Sequence, residues 1–127
     1  MALLLDIQVM IWLEENPSKI AESTRNLIFK EKEVYYSHVS VWEMAIKIKT
    51  EKLFLNQTLE TFIRNFQSDY HFLPLPISAN HIYKTQELDF YHKDPFDRLL
   101  IAQSLIENIP LVSSDSIFDS YLKNRIW

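Results

Sequence analysis

The sequence predicts an α/β protein: a three-layer α/β/α sandwich with a mostly parallel central sheet. Short apolar or β-branched runs alternate with segments of helical periodicity, and strands that alternate with helices pair in parallel through right-handed crossovers. The 127 residues suffice for one substantial core, and 47% of them are hydrophobic, as in globular proteins. We therefore expect a single domain over residues 1–127.

Five short segments have strand character because they are apolar, β-branched or aromatic. In chain order, the predicted strands are 3–6, 34–37, 71–75, 111–113 and 125–127. The third of these is closed by Pro74 and Pro76, since proline cannot donate to a strand ladder.

Seven segments show helical spacing of apolar residues or helix-start signals. The first runs through Leu13 and is broken at Pro17, after which a second helix opens at Ser18 or Lys19. The remaining helices are predicted at 41–50, 57–70, 78–88, 95–107 and 116–122. Ser78 is expected to cap the fifth helix.

The composition excludes several kinds of site. Cysteine is absent, which rules out disulfides and thiolate metal ligands and is compatible with a reducing compartment. Glycine is also absent, so the phosphate-binding loops that need close backbone approach are excluded. The histidines are scattered without the i, i+4 spacing of a helical zinc site, and surface or core roles are favoured for them. They are His38, His71, His81 and His92.

The apolar N-terminal stretch 2–13 is too short to span a bilayer and is interrupted by Asp6 and Gln8. We therefore expect a cytoplasmic protein with no membrane association. The net charge is −4, whereas a nonspecific nucleic-acid binder is normally basic. Metal-dependent nucleases partly escape this objection, because their carboxylates count as negative until cations bind.

Three acids follow short apolar runs, namely Asp6, Glu43 and Asp115, and Asp97 stands with Asp94 at the start of a helix whose next residues are almost wholly apolar. The carboxyl ends of the strands in an open α/β sheet all face one crevice, so these acids are candidates for a single site. Because so much like charge in one place requires neutralisation, the cluster implies a divalent cation. Metal-assisted phosphodiester chemistry is the function that this arrangement favours.

Helix capping is the competing interpretation of the acids. Ser40 and Glu43 fit a capping box, and Asp94 fits an N-cap before Pro95 and Asp97. Capping does not explain why acids stand at four strand ends, or why Glu43 and Asp97 lie a few residues inside helices. An acid at a helix N-terminus stays ionised, so both roles can coexist.

Basic residues flank the acidic positions and have two open interpretations. Lys47 lies four residues after Glu43 and can pair with it on the helix face, or else contact a substrate phosphate. Phosphate contact and ordinary solvated surface are equally open for the others. These are Lys49, Lys52, Lys93 and Arg98.

Four blocks of the chain resemble the signatures of PIN-domain ribonucleases, above all the VapC-type toxins of bacterial toxin–antitoxin pairs. The blocks are 4–9, 37–47, 92–103 and 111–115. The resemblance covers nearly the whole chain and implies a PIN-like fold. It also implies that the metal-binding and catalytic carboxylates are Asp6, Glu43, Asp97 and Asp115. Asp94 is a second-tier ligand by this resemblance.

The resemblance assigns a supporting role to the Ser113 hydroxyl. The sequence departs from the family at Ile7 and Gln8, where the family often has Thr or Ser and then His. Ile7 removes a hydroxyl that would orient Asp6 or a bound water, so the departure is expected to affect the reaction rate more than the presence of activity.

By the resemblance, the protein would be a Mg²⁺- or Mn²⁺-dependent endoribonuclease with RNA as substrate. It would act as a homodimeric toxin that a cognate antitoxin inhibits by lying along an apolar groove. Candidate groove residues are Val9, Trp12, Leu13 and the segment 53–55. Two alternatives stay open: a non-catalytic protein-binding domain of the same fold, and a metal-dependent phosphohydrolase acting on small molecules.

Overall fold

A computed structural model of the protein describes residues 2–127. The strands are β1 (Ala2–Leu5), β2 (Glu33–Ser37), β3 (Leu73–Leu75) and β4 (Leu111–Val112). The helices are α1 (Ile7–Glu15), α2 (Glu22–Lys30), α3 (His38–Lys49), α4 (Leu59–Ser68), α5 (Ala79–Thr85) and α6 (Pro95–Glu107). Two 3₁₀ helices span Pro17–Lys19 and Ser116–Ser120.

The four strands form one parallel sheet in the order β3-β2-β1-β4. β1 lies in the interior of the sheet, and its residues Leu3, Leu4 and Leu5 are fully buried. Successive side chains of a strand point to opposite faces. Leu3 and Leu5 accordingly pack into one apolar core and Leu4 into a second. The predicted α/β/α architecture with a parallel sheet is therefore confirmed.

Most predicted elements are present, with shifted ends. The segment after Pro17 is a 3₁₀ turn, so α2 begins at Glu22 rather than at Ser18 or Lys19. β3 begins two residues later than predicted, because His71 has a positive φ of 60° and interrupts the extended backbone. The predicted last strand is a single bridge between Ile126 and Val112.

α3 begins at His38, earlier than the predicted residue 41. Ser37 ends β2 and is also the N-cap, since its Oγ accepts a hydrogen bond from the amide of Val39 at 3.0 Å. The predicted capping box of Ser40 and Glu43 is therefore wrong, because both residues lie inside the helix. The prediction failed because it assumed a loop between β2 and α3, whereas the strand leads directly into the helix.

Two other predicted caps are confirmed. Ser78 caps α5 and forms a capping box with His81, and Asp94 caps α6. α5 ends at Thr85, short of the predicted residue 88. Every helix within residues 2–127 falls short of the length and apolar content that a bilayer crossing requires.

Candidate metal centre

A cavity of about 470 Å³ lies where β1 and β4 end, between α3 and the first turn of α6. We call it the acidic cavity because carboxylates dominate its polar lining. Its acidic residues are Asp6, Glu43, Asp94, Asp97 and Asp115. The structure thus brings the four predicted ligands and the second-tier candidate together. Ile7 and Gln8 also line the cavity.

Asp6 follows β1 directly and is the N-cap of α1. Its Oδ1 accepts a hydrogen bond from the amide of Val9 at 2.9 Å. Burial raises the pKa of the Asp6 carboxyl to about 6, and the nearby charge of Asp97 adds to the increase. Hydrogen bonds from Ser113 and the backbone oppose this rise without cancelling it.

Glu43 projects from α3, and its carboxylate lies 3.2 Å from the Lys47 ammonium. This is the ion pair that the i, i+4 spacing predicts. Burial raises the pKa of Glu43, Lys47 lowers it, and the charges of Asp97 and Asp94 raise it further. Because α3 begins at His38, Glu43 lies beyond the first helical turn and has no capping role.

Asp97 lies in the first turn of α6, which Asp94 caps. Asp94 Oδ1 accepts hydrogen bonds from the amides of Phe96 at 2.8 Å and Asp97 at 3.3 Å. The imidazole Nε2 of His92 lies 2.6 Å from Asp97 Oδ2. Burial raises the pKa of Asp97, the hydrogen bond from His92 lowers it, and Asp94 and Asp115 raise it.

Asp115 enters the cavity from the segment after β4. It is the N-cap of the second 3₁₀ helix, since its Oδ1 accepts from the amide of Ile117 at 3.0 Å. The hydroxyl oxygen of the buried Ser113 accepts from the Asp115 amide at 3.0 Å. Ser113 also bonds to the Asp6 side chain, so it links the two acids at the ends of β1 and β4.

The donor set fits a divalent cation. Three carboxyl groups, those of Asp6, Glu43 and Asp97, have raised pKa values because the protein buries them near one another. Among residues 2–127, Lys47 is the basic side chain that lines the cavity, and it engages Glu43. Carboxylate oxygens are the ligands that hard cations such as Mg²⁺ take. A bound cation would offset the excess negative charge.

His92 is the site residue that the sequence analysis missed. His92, Asp94 and Asp97 each offer a ligand atom, and these atoms lie within 4.8 Å of one another. His92 lies in the loop before α6 and belongs to no i, i+4 histidine pair, so helical spacing does not reveal it. Its position two residues before the Asp94-Pro95 helix start was the available signal.

Arg98 does not belong to the cavity, contrary to both interpretations of the flanking basic residues. Its side chain is buried and donates hydrogen bonds to backbone carbonyls of the loop before α6. It is therefore neither a phosphate contact nor solvated surface. Lys49, Lys52 and Lys93 are exposed and retain both interpretations.

The comparisons with known proteins agree with this architecture. A family model described as the PIN domain matches residues 3–123. No protein with a curated description matches the chain. Among solved structures, VapBC2 from Rickettsia felis, bound to a fragment of promoter DNA, contains a chain with 15% identity and a TM-score of 0.74. That match covers 100% of this chain and 98% of the other.

Two further structures show the same fold. DNA-bound VapBC from Salmonella typhimurium matches with 15% identity and a TM-score of 0.67, covering 100% of this chain and 97% of the other. FitAcB from Neisseria gonorrhoeae matches with 16% identity and a TM-score of 0.64, covering 98% of this chain and 96% of the other.

Proposed function

The chain belongs to the PIN domain family, and from this premise we propose that it is a divalent-metal-dependent endoribonuclease. The observation that carries the proposal is the acidic cavity, in which carboxylates from four separate parts of the chain converge. Helix capping accounts for Asp6, Asp94 and Asp115. It does not account for Glu43, which is buried inside α3 and faces the same cavity.

We propose Asp6, Glu43, Asp97 and Asp115 as the residues that hold Mg²⁺ or Mn²⁺, with Asp94 as a further candidate. When bound, such a cation polarises a phosphate and lowers the pKa of an attacking water. The protein's contribution is to fix the ligands. Ser113 holds Asp6 and the backbone of Asp115, and the helix starts orient Asp6 and Asp115.

RNA is the proposed substrate, and it would reach the site in the cytoplasm. The exposed Trp42 supports a polymeric substrate, since it adjoins Glu43 in sequence and packs edge-on against Phe96 at 5.0 Å between ring centroids. Unstacked bases pack on exposed aromatic rings.

The decisive experiment compares Mn²⁺-dependent cleavage of a structured RNA with hydrolysis of a small phosphate ester. We expect endonucleolytic RNA fragments in Mn²⁺, none in EDTA, and no ester hydrolysis. Ester hydrolysis without RNA cleavage would support the small-molecule phosphohydrolase instead. No hydrolysis of either substrate would support the non-catalytic binding domain.

A further similar structure, with 17% identity and a TM-score of 0.58, is named a toxin–antitoxin complex from Klebsiella pneumoniae. From this likeness we propose that this chain is a toxin with a cognate antitoxin. A cavity of about 620 Å³ between the end of α3 and the start of α4 offers an apolar surface. Phe54 on its lining is 81% exposed. Of the predicted groove residues, 53–55 line this cavity, and Trp12 lines the acidic cavity.

Val9 and Leu13 were wrongly expected in a groove, since both are buried in the core. Their α1 positions face the sheet, and an acid at the start of a helix says nothing about which side of that helix is exposed.

A homodimer is part of the same proposal. Large apolar side chains are exposed on α5 and in the loop after it, and exposed patches of this kind mark protein interfaces. They are Ile82, Tyr83, Phe90 and Tyr91. Expression of the chain alone should arrest growth, whereas Asp6→Asn should be harmless. A wild-type chain that is non-toxic and strictly monomeric would contradict the toxin proposal.

A further inference from the structure

The loop between α5 and α6 is held by Arg98. This residue is 7% exposed, and its guanidinium donates to four backbone carbonyl groups. Nη1 bonds to Asp89 O at 2.8 Å and His92 O at 3.0 Å, and Nη2 bonds to Thr85 O at 2.8 Å and Leu88 O at 2.9 Å. The Phe90 ring covers the guanidinium at 4.3 Å from its centroid. A loop without regular structure is thereby held in one conformation.

Tyr121 holds the same loop together with Arg98, and both side chains donate hydrogen bonds to the carbonyl of Asp89. Its hydroxyl accepts a hydrogen bond from the His92 amide at 2.8 Å and donates one to Asp89 O at 2.6 Å. Tyr121 follows the 3₁₀ helix that Asp115 caps. The backbone of His92 is therefore held on its N–H by Tyr121 and on its carbonyl by Arg98.

His92 is the loop residue that contacts an acid of the cavity, Asp97. Its Nε2 lies 2.6 Å from Oδ2 of Asp97, and both side chains are about one-quarter exposed. Against an ionised carboxylate, Nε2 is the donor. No hydrogen bond from residues 2–127 reaches Oδ1 of Asp97, so that oxygen is available to a cation.

We infer that His92 is a positioning residue that holds Oδ2 of Asp97 so that Oδ1 is presented to the cation, with Arg98 and Tyr121 holding His92 in turn. The inference rests on the proposed function, in which Asp97 is a cation ligand. Hydrogen bonds from outside the ligand set fix the orientation of metal-binding carboxylates. A fixed carboxylate loses less conformational freedom when the cation binds.

The test is calorimetric titration of the 127-residue chain with Mn²⁺ at neutral pH, with melting curves in EDTA to verify folding. His92→Ala should weaken Mn²⁺ binding by about tenfold, the usual cost of losing such a support. His92→Gln keeps an N–H donor and should bind within about threefold of wild type. Tyr121→Phe removes only the hydroxyl and should also weaken binding. The matched control is His38→Ala, at an exposed site on α3.

Wild-type affinity in His92→Ala would overturn the inference while leaving the proposed function intact. Equal losses in the Gln and Ala variants would overturn it in favour of direct ligation by His92. An equal loss in His38→Ala would show a nonspecific effect and would also overturn it. A wild-type protein that binds no Mn²⁺ would overturn the proposed function as well. If His92→Ala does not fold, Tyr121→Phe decides: unchanged Mn²⁺ affinity in that variant overturns the inference.

Discussion

α6 carries two polar clusters that differ in how their charges and hydrogen bonds are matched. Near its start, Asp97 belongs to the acidic cavity. Farther along, Gln103 is fully buried and joins Ser37 and His81 in what we call the glutamine cluster. Gln103 Oε1 accepts a hydrogen bond from the Ser37 hydroxyl. Its Nε2 lies 3.3 Å from the carbonyl of Pro76 and 3.4 Å from His81 Nδ1.

Hydrogen-bond donors and acceptors are matched in the glutamine cluster, whereas in the acidic cavity they are not. No buried side-chain nitrogen or oxygen among residues 2–127 lacks a partner, and Gln103 supplies both a donor and an acceptor to its neighbours. In the acidic cavity, by contrast, acceptors outnumber donors and burial raises the pKa values of Asp6, Glu43 and Asp97. A fold gains nothing from such an excess of negative charge, so we attribute the glutamine cluster to stability and the acidic cavity to function.

The largest expected effect is in the acidic cavity. Asp97→Asn should reduce RNA cleavage by more than about 100-fold, beyond the usual loss for supporting residues. It should leave the melting temperature in EDTA equal or higher, because it removes one like charge. Asp6→Asn and Glu43→Gln should behave alike, since Asn also caps a helix. Initial cleavage rates and melting curves measure both quantities, and retained cleavage with lower stability would favour capping alone.

The second prediction concerns pH in the absence of metal. The pKa of Asp6 is about 6 in the folded protein against an ordinary 3.8, so the neutral carboxyl favours folding. Its contribution is complete below about pH 3.8 and is lost as pH rises through about 6. The difference between these two pKa values corresponds to roughly 3 kcal/mol in the free energy of unfolding. Urea unfolding in EDTA should therefore show a contribution from Asp6 that falls across this window.

Metal should reverse that loss, because it binds the ionised carboxylates and stabilises the native state by mass action. The increase in melting temperature with millimolar Mn²⁺ should be larger at about pH 7.5 than at about pH 5. Asp97→Asn is the control, and its increase should be smaller. Melting curves that are identical in EDTA and in saturating Mn²⁺ at both pH values would contradict a metal site.

The fourth prediction changes the glutamine cluster instead. Gln103→Leu leaves the Ser37 hydroxyl and the Pro76 carbonyl without this partner, and a lost buried hydrogen bond costs about 1–3 kcal/mol. Urea unfolding should report that loss of stability. The Mn²⁺ affinity of the folded protein should stay unchanged. A large loss of Mn²⁺ affinity would show that the two clusters are coupled through α6.

The parts of the fold that depend on local pattern could be predicted from the sequence. The bounds of α6 follow from Pro95 and the capping Asp94, and the structure matches them. β1 is buried on both sides and is correspondingly apolar. The start of α3 was wrong because Ser37 and Ser40 are both good caps, and only the tertiary contact of Ser37 with Gln103 distinguishes them.

Asp6 and Asp115 could be assigned to one site because each follows a strand, β1 or β4, and the carboxyl ends of parallel strands meet at one edge of the sheet. His92 and Arg98 could not be assigned in this way. Their roles depend on the conformation of the irregular loop before α6, and the periodicity of apolar residues in a sequence does not predict the conformation of such a loop. The convergence of the four acids is visible in the structure, whereas their role as ligands stays a prediction.

The smallest expected effect distinguishes the two interpretations of Lys47. It is about two-fifths exposed at its side chain and pairs with Glu43, and exposed ion pairs contribute at most about 1 kcal/mol. If pairing is its main role, Lys47→Met should change stability little and should tighten Mn²⁺ binding by up to about threefold, since one positive charge leaves the cavity. The KM for RNA should then stay the same. An increased KM with unchanged Mn²⁺ affinity would instead assign Lys47 to a substrate phosphate. The matched control is Lys32→Met, at an exposed residue just before β2.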